Sequence, residues 1–513
     1  MKQERTNKYI NIFLISFSVI SFALLAISQL FWPYDLDHGI FATVADVILD
    51  GGVVYRDIWE LKGPAVYYIF AFVNWLCDRE EYGIRIFDLV IVITGLYYFY
   101  KILELSPNFN KTLAIMTTSL LGSLYFYSVS NSAQPDGWIS ILMVFILYLL
   151  LKDDGKLKIG NATLIAIFLG IIGLLKPPYL IYSLVPLCYI LTITKPIRNR
   201  FNFIFTIALG SFLILYVAAI YFWYNNALWD LIDNIFIYNW NFHKGGILNI
   251  KSAFQAIIND SFYQNTFIII LPSIIGFIYL LRENRKIFLL LFVWGISTFL
   301  IIYVQIRPSG SAYKNLLIYP IIVLYFYYSL LDIKSTITYR NTLIVCFVII
   351  SITYNNRYNS YISQIFYLYT NQISEEKYRQ NVQTRDDKNI LDVVKYLKKV
   401  NFDNKPIFIF GISSNINFFS DNTPTIKYSY IMPFHESKGE YFDRISYDLL
   451  YRLNKSRPKY FIFSGIVYTI NKENSKEEDP FLRISGLKYF INKNYKFNKL
   501  LNGYFIYEAR KSQ

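Results

Sequence analysis

Charge is scarce in this chain: Asp, Glu, Lys and Arg together make up 17% of 513 residues, while 54% are hydrophobic and 19% aromatic. A soluble protein has to cover its surface with polar groups, so this balance excludes an ordinary soluble domain. Cysteine occurs three times, as Cys77, Cys188 and Cys346, each in an apolar segment and without metal-ligand spacing. That excludes a disulfide framework and a zinc site. The net charge of +14 comes from Lys and Arg in short loops and in the C-terminal third, with no basic stripe, which excludes nucleic acid as a partner. A glycine-rich phosphate loop, a nucleophile elbow, internal repeats and low-complexity linkers are likewise missing.

What is there is a series of apolar runs from residue 8 to about residue 355. A helix needs roughly 20 apolar residues to cross about 30 Å of hydrocarbon. Candidate spans lie near 9–31, 64–77, 84–104, 112–130, 137–151, 162–175, 178–193, 200–224, 266–281, 287–305, 314–331 and 342–354. The first follows a basic start (Lys2, Arg5, Lys8) but exceeds a signal-peptide core and lacks a small-x-small cleavage site, so it is expected to be retained. Short loops rich in Lys and Arg stay cytoplasmic. Lys195 to Arg200, Arg282 to Lys286 and Lys334 to Arg340 qualify, which puts Tyr224 to Asn265, Arg307 to Tyr313 and everything after Asn355 outside.

An inside N-terminus and an outside C-terminus require an odd number of crossings, and the candidate runs number twelve. The mismatch falls between residues 111 and 136, where two short helices that enter and return, with Gly122 near the middle, would give thirteen spans. The fold class expected is a mainly α-helical polytopic membrane protein of about 11–13 spans with a small C-terminal soluble α/β domain. Residues 1–355 form the membrane domain and 356–513 the outer domain in this reading. In the latter, Asp386 to Val400 reads as a helix, Ile407 to Phe410 and Tyr460 to Phe463 as strands, and Tyr495 to Ala509 as a hairpin.

The segment WPYDLDHGIFATVADVILDGGVVYRDIWELKGPAVYY, Trp32 to Tyr68, is rich in charge where its neighbours have none. Asp35, Asp37 and His38 follow the first span directly, where a carboxylate at the lipid boundary is costly. Ile40, Val44, Val47 and Ile48 recur at helical spacing, as in a short amphipathic helix along the interface that Gly51 and Gly52 end. Arg56, Glu60 and Lys62 then lead into Gly63 and Pro64, with Pro suited to a first helical turn. Moving a sugar off a phosphate leaving group needs a carboxylate for the acceptor and cations for the phosphate. Asp37 and Lys62 suit those roles; the plainer alternative is that these charges anchor a loop at headgroup level.

The segment 32–64 resembles the first outer loop of the GT-C glycosyltransferases, in the branch of the protein O-mannosyltransferases and aminoarabinose transferases. The shared pattern is an acid pair after the first span, an interface helix, Gly then an aromatic and Asp, and Lys and Pro opening the next span. GIIGLLKPP, Gly170 to Pro178, is similar to the family's Lys-Pro turn, and Arg307 to Pro320 to its late outer loop. The resemblance implies a polyprenyl-phosphate-sugar donor, an inverting displacement and a site at the outer face of the cytoplasmic membrane, with a lipid, glycan or protein acceptor. By position Asp37 matches the catalytic acid and Lys62 the lysine on the donor phosphate. The family often has Glu after that Asp where this chain has His38, so either Asp35 or Asp37 could be the working acid, and Asp37 is preferred.

Arg56 and Lys176 are further candidate cations for the phosphate, and His38, Asp136 and Arg307 further candidates around the acceptor. Asp136 equally suits a helix cap and Lys176 a snorkelling lysine. His243 and Lys244 read as an ordinary turn. The sequence specifies no cofactor, and whether a divalent metal takes part is left open. A lipid-sugar flippase or a polysaccharide polymerase or ligase would share the membrane setting. The first would carry ionisable residues in mid-span and internal repeats, and the second a dominant late outer loop.

Overall fold

The structure, a computed structural model, describes residues 2–126, 132–194, 199–241, 267–305, 312–332, 363–382, 385–401, 405–411, 413–464 and 483–510. Arg307, His243, Lys244, Cys346 and the candidate span at 342–354 lie outside them. The chain is a mainly α-helical polytopic membrane protein with a small C-terminal sheet. Among the described residues four helices are long and apolar enough to cross a bilayer: Tyr9–Leu30, Glu81–Glu104, Arg200–Tyr224 and Arg285–Tyr303. Shorter apolar helices, Pro64–Leu76, Pro135–Leu151, Ile159–Leu175, Pro177–Thr192 and Tyr319–Leu331, occupy five of the other apolar runs. The run at 178–193 starts as a 3-10 turn, Pro177–Ser183, and continues as the α-helix Leu184–Thr192.

One expectation is corrected. Lys111–Tyr125 is a single unbroken helix, started by Asn110, whose side chain accepts from Leu113 N–H at 3.0 Å. Gly122 is inside that helix, not at a reversal, so the described residues 111–125 do not form two short helices meeting there, and the count of thirteen spans loses its basis. The glycine serves packing instead: a Cβ at 122 would stand 2.6 Å from the Phe22 ring.

The chain divides into two compact units, each assembled from separated stretches. The first comprises Met1–Trp32, Ile84–Val217 and Gly245–Ile373 and holds most of the long helices. Within it Phe267–Glu283 lies along Tyr319–Asp332. With no hydrophobic drive between helices in lipid, such pairs rely on small residues that let backbones approach. Gly276 does this: a Cβ there would be 1.7 Å from the Tyr325 carbonyl oxygen, and one turn away Ser273 Oγ donates to Ile322 O at 2.9 Å.

The second unit comprises Pro33–Gly83, Ala218–Lys244 and Ser374–Gln513. Its sheet runs β1 (Ile407–Phe410), β2 (Tyr460–Ser464), β4 (Tyr504–Ala509) and β3 (Tyr495–Leu501) in spatial order. β1 and β2 are parallel, and the other pairs antiparallel, with β3 and β4 forming the terminal hairpin. Strands covered on both faces read as continuous apolar runs. Accordingly Phe408, Phe410, Phe461 and Phe463 enter one core, while Ile407, Ile409, Tyr460 and Ile462 enter another with Val393 and Leu397 of the helix Arg385–Val400. The first of these cores also takes in Trp59 and Tyr238. Trp59 N–H donates to Lys427 O at 2.6 Å, and the Lys427 ammonium pairs with the Asp230 carboxylate. The charged early loop is thus built into the same unit as the C-terminal sheet.

Candidate functional site

Asp35 ends the extended entry to the helix Leu36–Leu49 and caps it. Its Oδ1 accepts from His38 N–H at 3.0 Å and stands 2.6 Å from His38 Nδ1. The His38 ring is fully buried, stacked between Tyr34 and Phe70 with centroids 6.0 and 6.3 Å away. The helix itself is buried from His38 to Val47, so it is not the one-sided amphipath that the periodicity suggested. Enclosure on most sides comes from Pro64–Leu76 and from Asn415–Phe419, which the spacing of apolar residues within the helix could not reveal.

Asp37, in the first turn, points elsewhere. Its Oδ2 lies 3.1 Å from Lys62 Nζ, with 35% of the Asp37 side chain and 15% of the Lys62 side chain exposed. The Lys62 ammonium also sits 4.1 Å over the Phe41 ring, a favourable position for a partly desolvated cation. Two residues 25 apart in sequence therefore form one accessible acid–cation pair. Arg56 is held apart from it in chemistry: its guanidinium forks onto Asp57, with Nη2 to Oδ2 at 2.7 Å, and Nη1 donates to Asn225 O at 2.7 Å. Asp57 is locked in turn by Val53 N–H at 2.7 Å.

Glu60 was given no role by sequence reasoning, yet it is 2% exposed beside this pair. Tyr67 OH donates to Glu60 Oε2 at 2.5 Å, and Leu61 N–H donates to the same oxygen at 3.1 Å. Burial pushes its carboxyl up to about 7, against the lowering effects of the Tyr67 hydrogen bond and the Lys62 charge. The available signal was a lone carboxylate between two apolar residues, Trp59 and Leu61. Because the folded state holds the Glu60 proton more tightly than the unfolded chain, stability falls as pH rises from about 4.5 to about 7. Glu60→Gln is expected to remove a share on the order of 3 kcal/mol of that loss. Melting curves in detergent at pH 5 and 8 check this, and identical pH slopes in both proteins would refute it.

Asp136 and Lys176 belong to the other unit. Asp136 is fully buried in the first turn of Pro135–Leu151 but is not the cap, which is Gln134. Its carboxylate accepts from both Lys176 Nζ and Tyr179 OH. Lys176 therefore does not snorkel: its ammonium is paired inside the protein and 11% of the side chain is exposed. Asp88 and Arg85, both unremarked in the sequence, form another buried polar cluster in the same unit. Asp88 accepts from Tyr125 OH at 2.9 Å, Ser132 Oγ at 2.9 Å and Trp138 Nε1 at 2.8 Å, and Arg85 Nη1 donates to Ser132 O at 3.2 Å. Among the described residues no three His, Cys, Asp or Glu side chains converge as metal ligands.

No protein-family model matches the chain, and no curated protein matches it by sequence. Solved structures do. ArnT from Cupriavidus metallidurans bound to undecaprenyl phosphate superposes with a TM-score of 0.61 at 11% identity, covering 98% of this chain and 98% of that one. The Archaeoglobus fulgidus oligosaccharyltransferase in its apo form gives 0.50 at 10% identity, covering 97% of this chain and 74% of that one. The chain thus shares its fold with both of these structures.

Proposed function

We propose that this chain transfers a sugar from a polyprenyl-phosphate donor to a lipid, glycan or protein acceptor at the outer face of the cytoplasmic membrane. The observation that carries the reading is the Asp37–Lys62 pair, 3.1 Å apart and partly exposed, in a chain sharing its fold with an ArnT that binds undecaprenyl phosphate. In the proposed reaction the Asp37 carboxylate takes the proton of the acceptor hydroxyl or amine. The acceptor atom attacks the anomeric carbon as the bond from that carbon to the phosphate oxygen breaks, and configuration inverts. The electron pair leaves on polyprenyl phosphate, whose growing charge the Lys62 ammonium offsets. Such a preorganised cation acts most strongly where water is scarce, and Lys62 is mostly buried.

Asp35 is the weaker choice of base, because its Oδ1 is committed to the helix cap and to His38. Arg56, Asp136 and Lys176 are proposed as secondary contacts to donor or acceptor. The test adds a panel of radiolabelled polyprenyl-phosphate sugars to membranes containing the protein and follows label into water-insoluble and glycan products. Transfer from at least one donor is expected. Absence of transfer from every donor, with protein shown to be folded and inserted, would overturn the reading.

A further inference from the structure

We infer that Tyr55, Tyr67 and Glu60 form a buried clamp that grips the Lys62 peptide from both sides and so fixes where its ammonium is presented. This rests on Lys62 being the cation for the donor phosphate. Tyr55 OH donates to Lys62 O at 2.7 Å, and Lys62 N–H donates to Tyr67 OH at 3.2 Å. Tyr67 OH in turn donates to Glu60 Oε2, completing a chain of three hydrogen bonds. Both backbone groups of a loop residue are thus taken by side chains, and both phenols are fully buried.

Tyr55 also has φ of +74°, the left-handed region that a bulky aromatic residue avoids. Such strain persists only where the surroundings over-determine it. Here Tyr55 N–H bonds Ile58 O at 2.8 Å, the ring meets Tyr67 and Phe222, and the hydroxyl reaches Lys62. A lysine side chain has four rotatable bonds and is ordinarily loose. With its backbone gripped and its ammonium over the Phe41 ring, Lys62 is directed to the place where it meets Asp37. Misplacing a reacting group by about 1 Å can cost on the order of 100-fold in rate, which gives such a device its use.

Glu60 adds a charge to the clamp. The groups that face it are the Lys62 ammonium, the Asp37 carboxylate and the hydroxyls of Tyr55, Tyr67 and Tyr430. When ionised it dilutes the Lys62 field felt by a phosphate, and when protonated it does not.

The test measures binding of the methyl ester of a polyprenyl phosphate, a diester with one negative charge throughout the pH range, to purified protein in nanodiscs. Lys62→Ala is expected to weaken binding about tenfold or more. Tyr55→Phe and Tyr67→Phe, which each remove one oxygen, are expected to weaken it about fivefold, and to have no further effect in the Lys62→Ala background. Glu60→Gln gives a readout that needs no tyrosine variant. Wild-type protein should bind the diester several-fold more tightly at pH 6 than at pH 8, and the Gln variant should lose that difference. If Lys62→Ala binds as wild type, the phosphate role of Lys62 fails and the clamp with it. If Lys62→Ala loses binding while the tyrosine variants do not, or lose it equally with and without Lys62, the clamp alone is overturned. Equal pH profiles for wild type and Glu60→Gln overturn it too.

Discussion

Asp37→Asn is expected to cut sugar transfer by about 100-fold to 10,000-fold, the usual contribution of a positioned general base. Asparagine keeps the size of the side chain, and its amide oxygen still accepts from Lys62 Nζ, now 3.1 Å from Asp37 Oδ2, so the pair's geometry survives while the proton acceptor is lost. Donor affinity should change much less than turnover. Asp35→Asn provides the contrast. Its amide retains the shape of the cap but gives up the charge beside His38, so the expected effect is on stability, about 1 kcal/mol, with transfer retained. Initial rates at saturating donor, with melting curves for both variants, decide the matter. An Asp37→Asn enzyme within threefold of wild type, or a folded but inactive Asp35→Asn enzyme, would reverse the assignment.

Much of this architecture is legible in the sequence, for reasons that differ by element. The apolar runs appear as helices because length and hydropathy are properties of the segment itself, and Pro64 and Pro135 open their helices as a proline should. The strands at Ile407–Phe410 and Tyr460–Ser464 show as short apolar runs because both their faces are covered. Gly122 misled for the opposite reason: its role is set by Phe22, a hundred residues earlier, and nothing local distinguishes a packing glycine from a turn. The joining of Asp37 to Lys62 was approachable from the chemistry of the loop and from the resemblance of residues 32–64 to a family pattern, but not from their spacing of 25 residues. Glu60, Asp88 and Arg85 escaped because a buried charge looks in sequence like any solvated one until its hydroxyl and indole partners are placed around it. Nor does chain order reveal that residues 33–83 pack in one unit with Ser374–Gln513, since their contacts, such as Trp59 N–H to Lys427 O, join distant segments.

The Asp136–Lys176 pair can be sorted into scaffold or site by removing its charges singly and together. Asp136→Ala leaves the Lys176 ammonium, 11% exposed, without its carboxylate and strands Tyr179 OH, so a loss of about 3–5 kcal/mol in stability is expected. Replacing both partners by apolar residues of similar size, Asp136→Leu with Lys176→Met, removes the stranded charge and should recover most of that loss. A purely structural pair would then leave an active enzyme, since the packing is kept and Asp37 and Lys62 are untouched. If Lys176 serves the donor phosphate, the double variant is folded yet slower by at least about tenfold, the scale of one charge-assisted contact. The second result is expected, because a buried ion pair brings little stability over well-packed apolar residues, and its presence among apolar helices points to use rather than support. Melting temperature and transfer rate measured on the same preparations separate the two, and full activity in a stable double variant would return the pair to the scaffold.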